Sequence, residues 1–375
     1  MTNSNFIKDE IKKLGLIPFD HFMDIALYSE NGYYMVTEPF AKSGDYYTSP
    51  RLHPLFGFMM AVQLNTMWKI IGKPSPFIIV EQGGGDDVLA SDICKSLHLI
   101  NPVLYSQLKY YILDNHYIHT SDPIIKSVLD SSFLKNMEVS VLLSNELIDA
   151  FPVKLFEINN MNVSEVFVGI KNGDLFQELI LSPDNSLSNL LSSQEMSMLE
   201  GYRGPYNNRI QPWIETVSQY IDSGFVITID YGYERNEYYS MEKSHKLLQT
   251  YYKHVDGNNP LQRVGRQDIT AHVNFSEIVE SGNCVGFDKV YYGTQKRWIE
   301  SLGFNQVLKH STNEHNNRMI AIIEGLSSIN SFGNFKVLIQ SKNIFCENKR
   351  LFCFDDQVVN VKLPDITDRH ITYKI

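Results

Sequence analysis

The chain has 375 residues, of which 43% are hydrophobic and 20% are charged, and its formal net charge at pH 7 is −10. These proportions describe an ordinary globular protein and exclude a disordered or collagen-like chain. The acidic balance leaves no electrostatic footprint for nucleic acid, and no stretch approaches the roughly 18 apolar residues of a membrane span. We therefore expect no nucleic-acid partner and no membrane span, and composition leaves the oligomeric state open.

The N-terminus and the cysteines bear on location. Residues 1–10 carry acids early and lack both the apolar core of a signal peptide and the arginine-rich character of a transit peptide. The cysteines form no C-x-x-C pair and no disulfide framework, which favours reduced thiols. They are Cys94, Cys284, Cys346 and Cys353. We predict a cytoplasmic protein, with the mitochondrial matrix as the alternative for a eukaryotic source.

Helical patterns dominate the first 75 residues. Candidate helices cover about residues 5–14, Pro18 to Tyr28 and the strongly apolar Leu55 to Ile71. A loop with glycine and proline, Ser43 to Pro50, lies between the second and the third. We predict that residues 1–75 form an N-terminal helical segment.

The most informative stretch is a strand, a glycine turn and a helix in direct succession. Phe77 to Glu81 is a short apolar run typical of a buried parallel strand. Gly83, Gly84 and Gly85 follow, and then Val88 to Leu97 has helical spacing. This order is typical of a nucleoside cofactor site, because glycines allow the backbone to approach a ligand closely.

Further apolar runs predict the rest of a parallel α/β sheet with helices between its strands. They are Lys109–Asp114, Glu138–Asn145, Phe225–Asp230 and a closing strand at Phe335–Ile339. We predict one α/β domain over residues 76–340. Within it, alternation over residues 154–181 predicts an inserted antiparallel meander. Alternation within residues 341–375 predicts a small C-terminal β appendage.

Ligands of such sheets bind beyond the carboxyl ends of the strands. Glu81 ends the first of these strands and Asp114 the second, where a carboxylate commonly accepts hydrogen bonds from ribose hydroxyls. The glycine turn carries no base and continues into Asp86 and Asp87. Two aspartates match a pyrophosphate poorly, which counts against NAD, FAD and ATP and favours S-adenosylmethionine.

Polar residues after the third strand are candidates for acceptor binding. Asn145, Glu146 and Asp149 directly follow an apolar strand, where polar groups are costly unless they bind something. A carboxylate there can hold and orient a donor-rich acceptor for methyl transfer. Capping of the next helix is the alternative for Asn145 and Asp149. His272 follows Asp268 and Thr270 and is a further candidate facing the cleft.

Together these segments resemble the MidA family of S-adenosylmethionine-dependent methyltransferases. The matching motifs run in order from about residue 17 to 338. They are Phe22-Met-Asp-Ile-Ala-Leu-Tyr with Gly32-Tyr-Tyr, Gly44-Asp-Tyr-Tyr-Thr-Ser-Pro50 with Leu55-Phe-Gly57, Glu81-x-Gly-x-Gly85, Asn145-Glu-x-x-Asp-Ala-x-Pro-Val153, Asp230-Tyr-Gly-Tyr233, Asp268-x-Thr-Ala-His-Val-x-Phe275 and Phe335-Lys-Val-Leu338.

The resemblance implies a class I methyltransferase fold, a Rossmann-like, mostly parallel seven-stranded sheet with helices on both faces. It implies cofactor binding by Glu81, Gly83, Gly85 and Asp114. It also implies that the N-terminal segment closes over the cofactor through Gly44, Thr48, Ser49 and Pro50. Mitochondrial members are similar to arginine methyltransferases that act on a respiratory complex I subunit during assembly. For an arginine acceptor, Glu146 would pair with the guanidinium, because a carboxylate can accept two parallel hydrogen bonds from that group.

Two departures from the family pattern keep other functions open. Asp87 stands where the family has the last glycine of its turn, and Arg51 stands where it has glutamate. Arg51 would favour an anionic acceptor over a cationic guanidinium. The leading hypothesis is thus a methyltransferase whose acceptor is a protein arginine. The alternatives are a methyltransferase for a small or carrier-bound metabolite and a catalytically weak assembly or binding factor.

Overall fold

A computed structural model describes residues 3–37, 47–120, 122–160, 162–181, 187, 199–311, 317–352 and 356–371. The chain divides into two compact units, and it passes between them several times along the sequence. The first unit comprises Met1–Tyr46, Ile148–Pro212 and Gly232–Glu277. The second comprises Tyr47–Leu147, Trp213–Tyr231 and Ile278–Ile375.

The strands in chain order are β1 (Ile17–Pro18), β2 (Phe77–Gln82), β3 (Leu108–Leu113), β4 (Ile125–Val128), β5 (Val141–Asn145), β6 (Lys154–Asn159), β7 (Asn162–Lys171), β8 (Asp174–Leu181), β9 (Arg203–Tyr206), β10 (Gly224–Asp230), β11 (Gly232–Tyr233), β12 (Leu248–Tyr252), β13 (Val255–Gly257), β14 (Asp268–Ala271), β15 (Val273–Asn274), β16 (Phe287–Thr294) and β17 (Lys336–Lys342).

The α-helices in chain order are α1 (Asn3–Leu14), α2 (Phe19–Tyr28), α3 (Tyr33–Val36), α4 (Ser49–Leu52), α5 (Leu55–Ile70), α6 (Val88–Ile100), α7 (Pro102–Tyr105), α8 (Ile210–Ser218), α9 (Arg235–Tyr238), α10 (Phe275–Cys284), α11 (Gln295–Ser301), α12 (Phe304–Ser311), α13 (Asn317–Glu324) and α14 (Asn348–Leu351).

The second unit contains a seven-stranded sheet of order β16-β17-β10-β5-β2-β3-β4. Its strands run parallel except β17, which is antiparallel to both of its neighbours, β10 and β16. Every residue of β10 is buried, as expected of a central strand covered on both faces. The apolar helix α5 and the apolar face of α6 pack in the same core. The predicted mostly parallel α/β sheet is confirmed.

The first unit is built on antiparallel pairing. β6, β7 and β8 pair in succession, so the predicted meander over residues 154–181 is confirmed. β1 and β9 extend this sheet, and β12, β13 and β14 form a separate three-stranded sheet. Helix α2 buries one apolar face, which includes Phe22 and Met23, in the core of this unit.

The predicted C-terminal β appendage is wrong. Among the residues described after β17, the chain forms α14 and a 3₁₀ turn at Asp356–Asn360 instead of strands. Leu351, Val358 and Leu363 are buried in the core of the second unit, so the apolar side chains of this segment pack into that core without forming a strand. The proposed segments 1–75, 76–340 and 341–375 stay a prediction.

The described helices give no candidate for a membrane span, because none is both long and apolar enough to cross a bilayer.

We predict that Ile227→Ala in β10 lowers the free energy of unfolding by about 2–5 kcal/mol, the usual cost of deleting methylenes from a closed core. Ile227 is fully buried between β5 and β17. Ile329→Ala is the matched control in the same unit, because Ile329 is 63% exposed. Chemical denaturation followed by circular dichroism measures both, and equal effects would contradict the assignment of the core.

Candidate functional site

The turn between β2 and α6 requires glycine at two positions. Gly83 and Gly85 have φ values of +73° and +66°, in the left-handed region that other residues rarely adopt. A Cβ on Gly83 would also lie 2.6 Å from Leu147 Cδ1. Both glycines predicted to bind a cofactor are therefore needed for the backbone path, and Gly83 also leaves room for Leu147.

Asp114 follows β3 and is tied to this turn. Its Oδ2 accepts a hydrogen bond from the Gly85 N–H at 2.9 Å, and its Oδ1 accepts one from the His116 N–H at 3.1 Å. A carboxylate has about four lone-pair sites, so two remain for further donors such as ribose hydroxyls. The structure thus places Asp114, the residue predicted to bind the ribose, beside the predicted glycine turn.

Glu81 is almost fully buried at the end of β2. Its Oε2 accepts a hydrogen bond from the Tyr110 hydroxyl at 2.8 Å. Burial, with smaller contributions from Asp86, Asp114 and Asp87, raises the pKa of Glu81 to about 8. This carboxyl group is consequently protonated at neutral pH.

The two aspartates after the glycines are paired with arginines from distant parts of the sequence. Arg51 forms an ion pair with Asp86, and Arg369 forms one with Asp87. Asp86 Oδ1 also accepts a hydrogen bond from the Val88 N–H at 2.8 Å. The turn itself carries no base, and folding brings two arginines to it whose charges are offset by Asp86 and Asp87. Asp87 has a φ of −103°, so the chain needs no glycine at this position.

The segment predicted to close over the cofactor is only partly described. Gly44 lies outside the described residues. Thr48 and Ser49 are buried at the start of α4 together with Pro50. The Ser49 hydroxyl donates a hydrogen bond to Gln295 Oε1 at 3.2 Å, so it is fixed within the second unit. Their contact with a cofactor stays a prediction.

Asn145 and Glu146 lie at the carboxyl end of β5. Glu146 has a φ of +53°, a conformation that is costly for glutamate and that clusters at functional sites. Its N–H donates to the Ile229 carbonyl at 2.8 Å, and its Oε1 accepts a hydrogen bond from Asn145 Nδ2 at 3.1 Å. Asn145 Oδ1 is buried and accepts no hydrogen bond from any residue that the structure describes. Asn145 Oδ1 is therefore an acceptor available to a ligand rich in donors.

His272 belongs to the first unit, between β14 and β15. Its ring stacks on that of Tyr233, with centroids 5.3 Å apart and planes inclined by 20°. Lys243 Nζ lies 4.0 Å from the centroid of the Tyr233 ring. The main-chain N–H of His272 donates to the Leu247 carbonyl at 2.8 Å. The other candidates, Gly44 and Asp149 excepted, belong to the second unit.

Two contacts of this site had no signal in the sequence. Trp213 Nε1 donates a hydrogen bond to Gln82 Oε1 at 3.0 Å, which fixes the last residue of β2. Arg369 reaches Asp87 across 282 positions of the chain. The spacing of residues along the sequence cannot predict such pairs, because their partners lie far apart in the chain. Among the residues that the structure describes, no cluster of three or more metal-ligating side chains occurs.

Comparison with known proteins places these features in one family. Residues 59–292 match the model of a family described as S-adenosyl-L-methionine-dependent methyltransferases. The protein arginine methyltransferase NDUFAF7 homolog, mitochondrial, of Drosophila melanogaster is 26% identical over 309 residues, which cover 72% of this chain and 68% of that protein. The Caenorhabditis elegans protein of the same name is 24% identical over 354 residues, covering 81% and 77%.

A solved structure shares the fold. It is a COG1565 superfamily member from Burkholderia thailandensis, crystallised with S-adenosyl-homocysteine. Its TM-score is 0.82 at 24% identity, and the alignment covers 94% of this chain and 95% of that one. The predicted methyltransferase-type α/β fold is confirmed.

We predict that the buried Glu81 makes this protein less stable as pH rises. The folded protein keeps the Glu81 proton up to about pH 8, whereas an unfolded chain loses it near the ordinary value of 4.5. Folding therefore takes up a proton between these values, and the free energy of unfolding falls with rising pH across that window. Glu81→Gln mimics the protonated group and removes this component.

Urea unfolding of the ligand-free protein between pH 5 and about pH 8.5 measures the effect. The stability of Glu81→Gln relative to the wild type should increase steadily with pH and then level off. Glu138→Gln, at an exposed position before β5, is the control. A constant difference between Glu81→Gln and the wild type at every pH would show that Glu81 is ionised in the folded state.

Proposed function

The chain belongs to the family of S-adenosyl-L-methionine-dependent methyltransferases, and we propose that its acceptor is an arginine side chain of a protein. The family match confirms the methyltransferase class, the cofactor and the resemblance drawn from the motifs. The acceptor is supported by the names of the relatives, which are protein arginine methyltransferases. It is further supported by the acceptor oxygens at this place, Asn145 Oδ1 and the Glu146 carboxylate.

The glycine turn fits the cofactor in two respects. Left-handed Gly83 and Gly85 expose backbone where a nucleoside would approach, and Asp114 keeps lone pairs for its ribose hydroxyls. When bound, S-adenosylmethionine supplies an electrophilic methyl group on a positively charged sulfur. We assign binding to Gly83, Gly85 and Asp114, with Thr48, Ser49 and Pro50 in support. Glu81 would act from beneath the turn, because it is buried there as a neutral group.

Asn145 Oδ1 and the Glu146 carboxylate carry the acceptor proposal. A guanidinium only donates hydrogen bonds, and its planar fork matches a carboxylate with two parallel bonds. Asn145 Nδ2 holds Glu146 Oε1, which fixes the rotation of the carboxylate. Glu146 would orient the arginine nitrogen and accept the proton that leaves it. A catalytic role for His272, which stacks on Tyr233 in the first unit, stays a prediction.

The hypothesis of an anionic metabolite as acceptor depended on Arg51, and the contacts of Arg51 weaken it. Its guanidinium is paired with Asp86, so that carboxylate offsets its charge. The case for a protein without catalysis depended on Asp87, whose carboxylate is paired with Arg369 and whose backbone needs no glycine. Both observations favour an active enzyme with a cationic acceptor over these two alternatives.

For location, we propose the cytoplasm, with the mitochondrial matrix as the alternative, because the cysteines of the sequence form no disulfide framework. The names of the relatives place those proteins in mitochondria. Cell fractionation of the untagged protein would separate the two compartments.

We predict that Glu146→Gln lowers the rate of arginine methylation by at least about a hundredfold, because general-base and orienting groups contribute 10²–10⁴. The dissociation constant for S-adenosylmethionine should change by less than about twofold, since Glu146 is assigned to the acceptor. Radiolabelled methyl transfer to arginine-containing peptides measures the rate, and calorimetry measures the affinity.

Two controls distinguish a loss of acceptor binding from a general effect of the substitution on the protein. Glu138→Gln changes an exposed carboxylate that precedes the other end of β5 and should leave the rate unchanged. Copies of the peptides with lysine in place of arginine should take up no label. Equal labelling of the lysine peptides, or full activity of Glu146→Gln, would refute the proposed acceptor.

A further inference from the structure

The chain segment after β17 returns to the helix that begins at the cofactor turn. Two successive residues of this segment, Arg369 and His370, contact two acids of the second unit, Asp87 and Asp92. Asp87 is the N-cap of α6, and Asp92 lies in its second turn. We call Thr367–His370 the latch.

His370 is fixed in one tautomer. Its Nδ1 accepts a hydrogen bond from the Thr367 N–H at 3.0 Å, so a neutral ring carries its proton on Nε2. That nitrogen lies 2.9 Å from Asp92 Oδ2 and donates to it. Both side chains are buried, so the bond is shielded from water. Asp92 is thereby held by a directed hydrogen bond from outside its own helix.

Arg369 neutralises the residue at which this chain departs from its family. The Asp87 side chain is 5% exposed, and that of Arg369 is 35% exposed. A carboxylate buried this deeply is costly without a partner. The pair therefore makes aspartate tolerable at the position where the family resemblance leads us to expect glycine.

Without the latch, two buried acids in the first turns of α6 would lose their partners. Burial already raises the pKa of Asp92, and the His370 hydrogen bond opposes this rise. The first turns of α6 would then move or open to hydrate these acids. The same turns directly follow Gly85, whose N–H is held by Asp114. The geometry of the cofactor turn thus depends on contacts made by the latch.

We propose that Arg369 and His370 are positioning residues for S-adenosylmethionine. They hold α6 and the glycine turn in the conformation that binds the cofactor, without touching it themselves. This inference requires the cofactor assignment but not the arginine acceptor, because cofactor binding can be measured without an acceptor.

A double-mutant cycle at the partly exposed pair tests the proposal with the full-length protein. Arg369→Gln and Asp87→Asn should each raise the dissociation constant for S-adenosylmethionine by about three- to tenfold, less than for a fully buried pair. The double variant should be no weaker than either single variant, because both changes remove the same contact. At saturating cofactor, kcat should stay within about twofold of the wild type.

A second readout needs no cofactor. Hydrogen exchange of the ligand-free protein should show faster exchange of the amides of Ser91 and Asp92 in Arg369→Gln and in His370→Ala. Lys362→Ala is the matched control in the same segment, because it removes the exposed pair between Lys362 and Asp365. It should change neither the exchange nor the affinity.

Independent, additive effects of Arg369→Gln and Asp87→Asn on affinity would overturn the proposal. So would unchanged affinity in Arg369→Gln, even if that variant were less stable. If His370→Ala fails to fold, the exposed-side variant Arg369→Gln still decides the question. If the wild-type protein bound the cofactor normally but did not methylate arginine peptides, the proposed acceptor would be refuted. The proposal about the latch would still stand.

Discussion

The left-handed backbone of Gly83, beside which Leu147 packs, is the constraint on which the second unit's site depends. A side chain at position 83 would meet Leu147, so the left-handed glycine lets the loop after β5 lie against the turn after β2. Glu146, the residue before Leu147, is itself left-handed and bound to Ile229 through its N–H. The proposed cofactor turn and the proposed acceptor carboxylate therefore lie close together, because Leu147 packs beside the turn and directly follows Glu146.

The carboxylates around this turn are stabilised in different ways, and each way suits a different task. Glu81 is buried and keeps its proton, whereas Asp86 and Asp87 are paired with arginines. Asp114 is held by backbone N–H groups, which orient it and leave lone pairs for a ligand. Asp114 is thus the carboxylate of this group best suited to bind ribose. Charge counted along the sequence could not distinguish these roles.

The sequence predicted what depends on local pattern and missed what depends on distant contacts. Central strands such as β2 and β10 are continuous apolar runs, so they and the glycine turn were recognisable. β4 and β16 lie at the edges of the sheet, where polar residues such as Lys126 and Asp288 interrupt the apolar pattern. The Arg369–Asp87 pair joins positions 282 residues apart, beyond the reach of any spacing rule.

Calorimetric titration with S-adenosylmethionine tests the central claim, that the turn at Gly83 and Asp114 binds the cofactor. The account expects one cofactor per chain for the wild type, binding weakened at least about tenfold in Asp114→Ala, and no detectable NAD binding. Lys109→Ala, at an exposed side chain near the other end of β3, is the control and should bind normally. No heat with S-adenosylmethionine, or equal affinity in Asp114→Ala, would contradict the account.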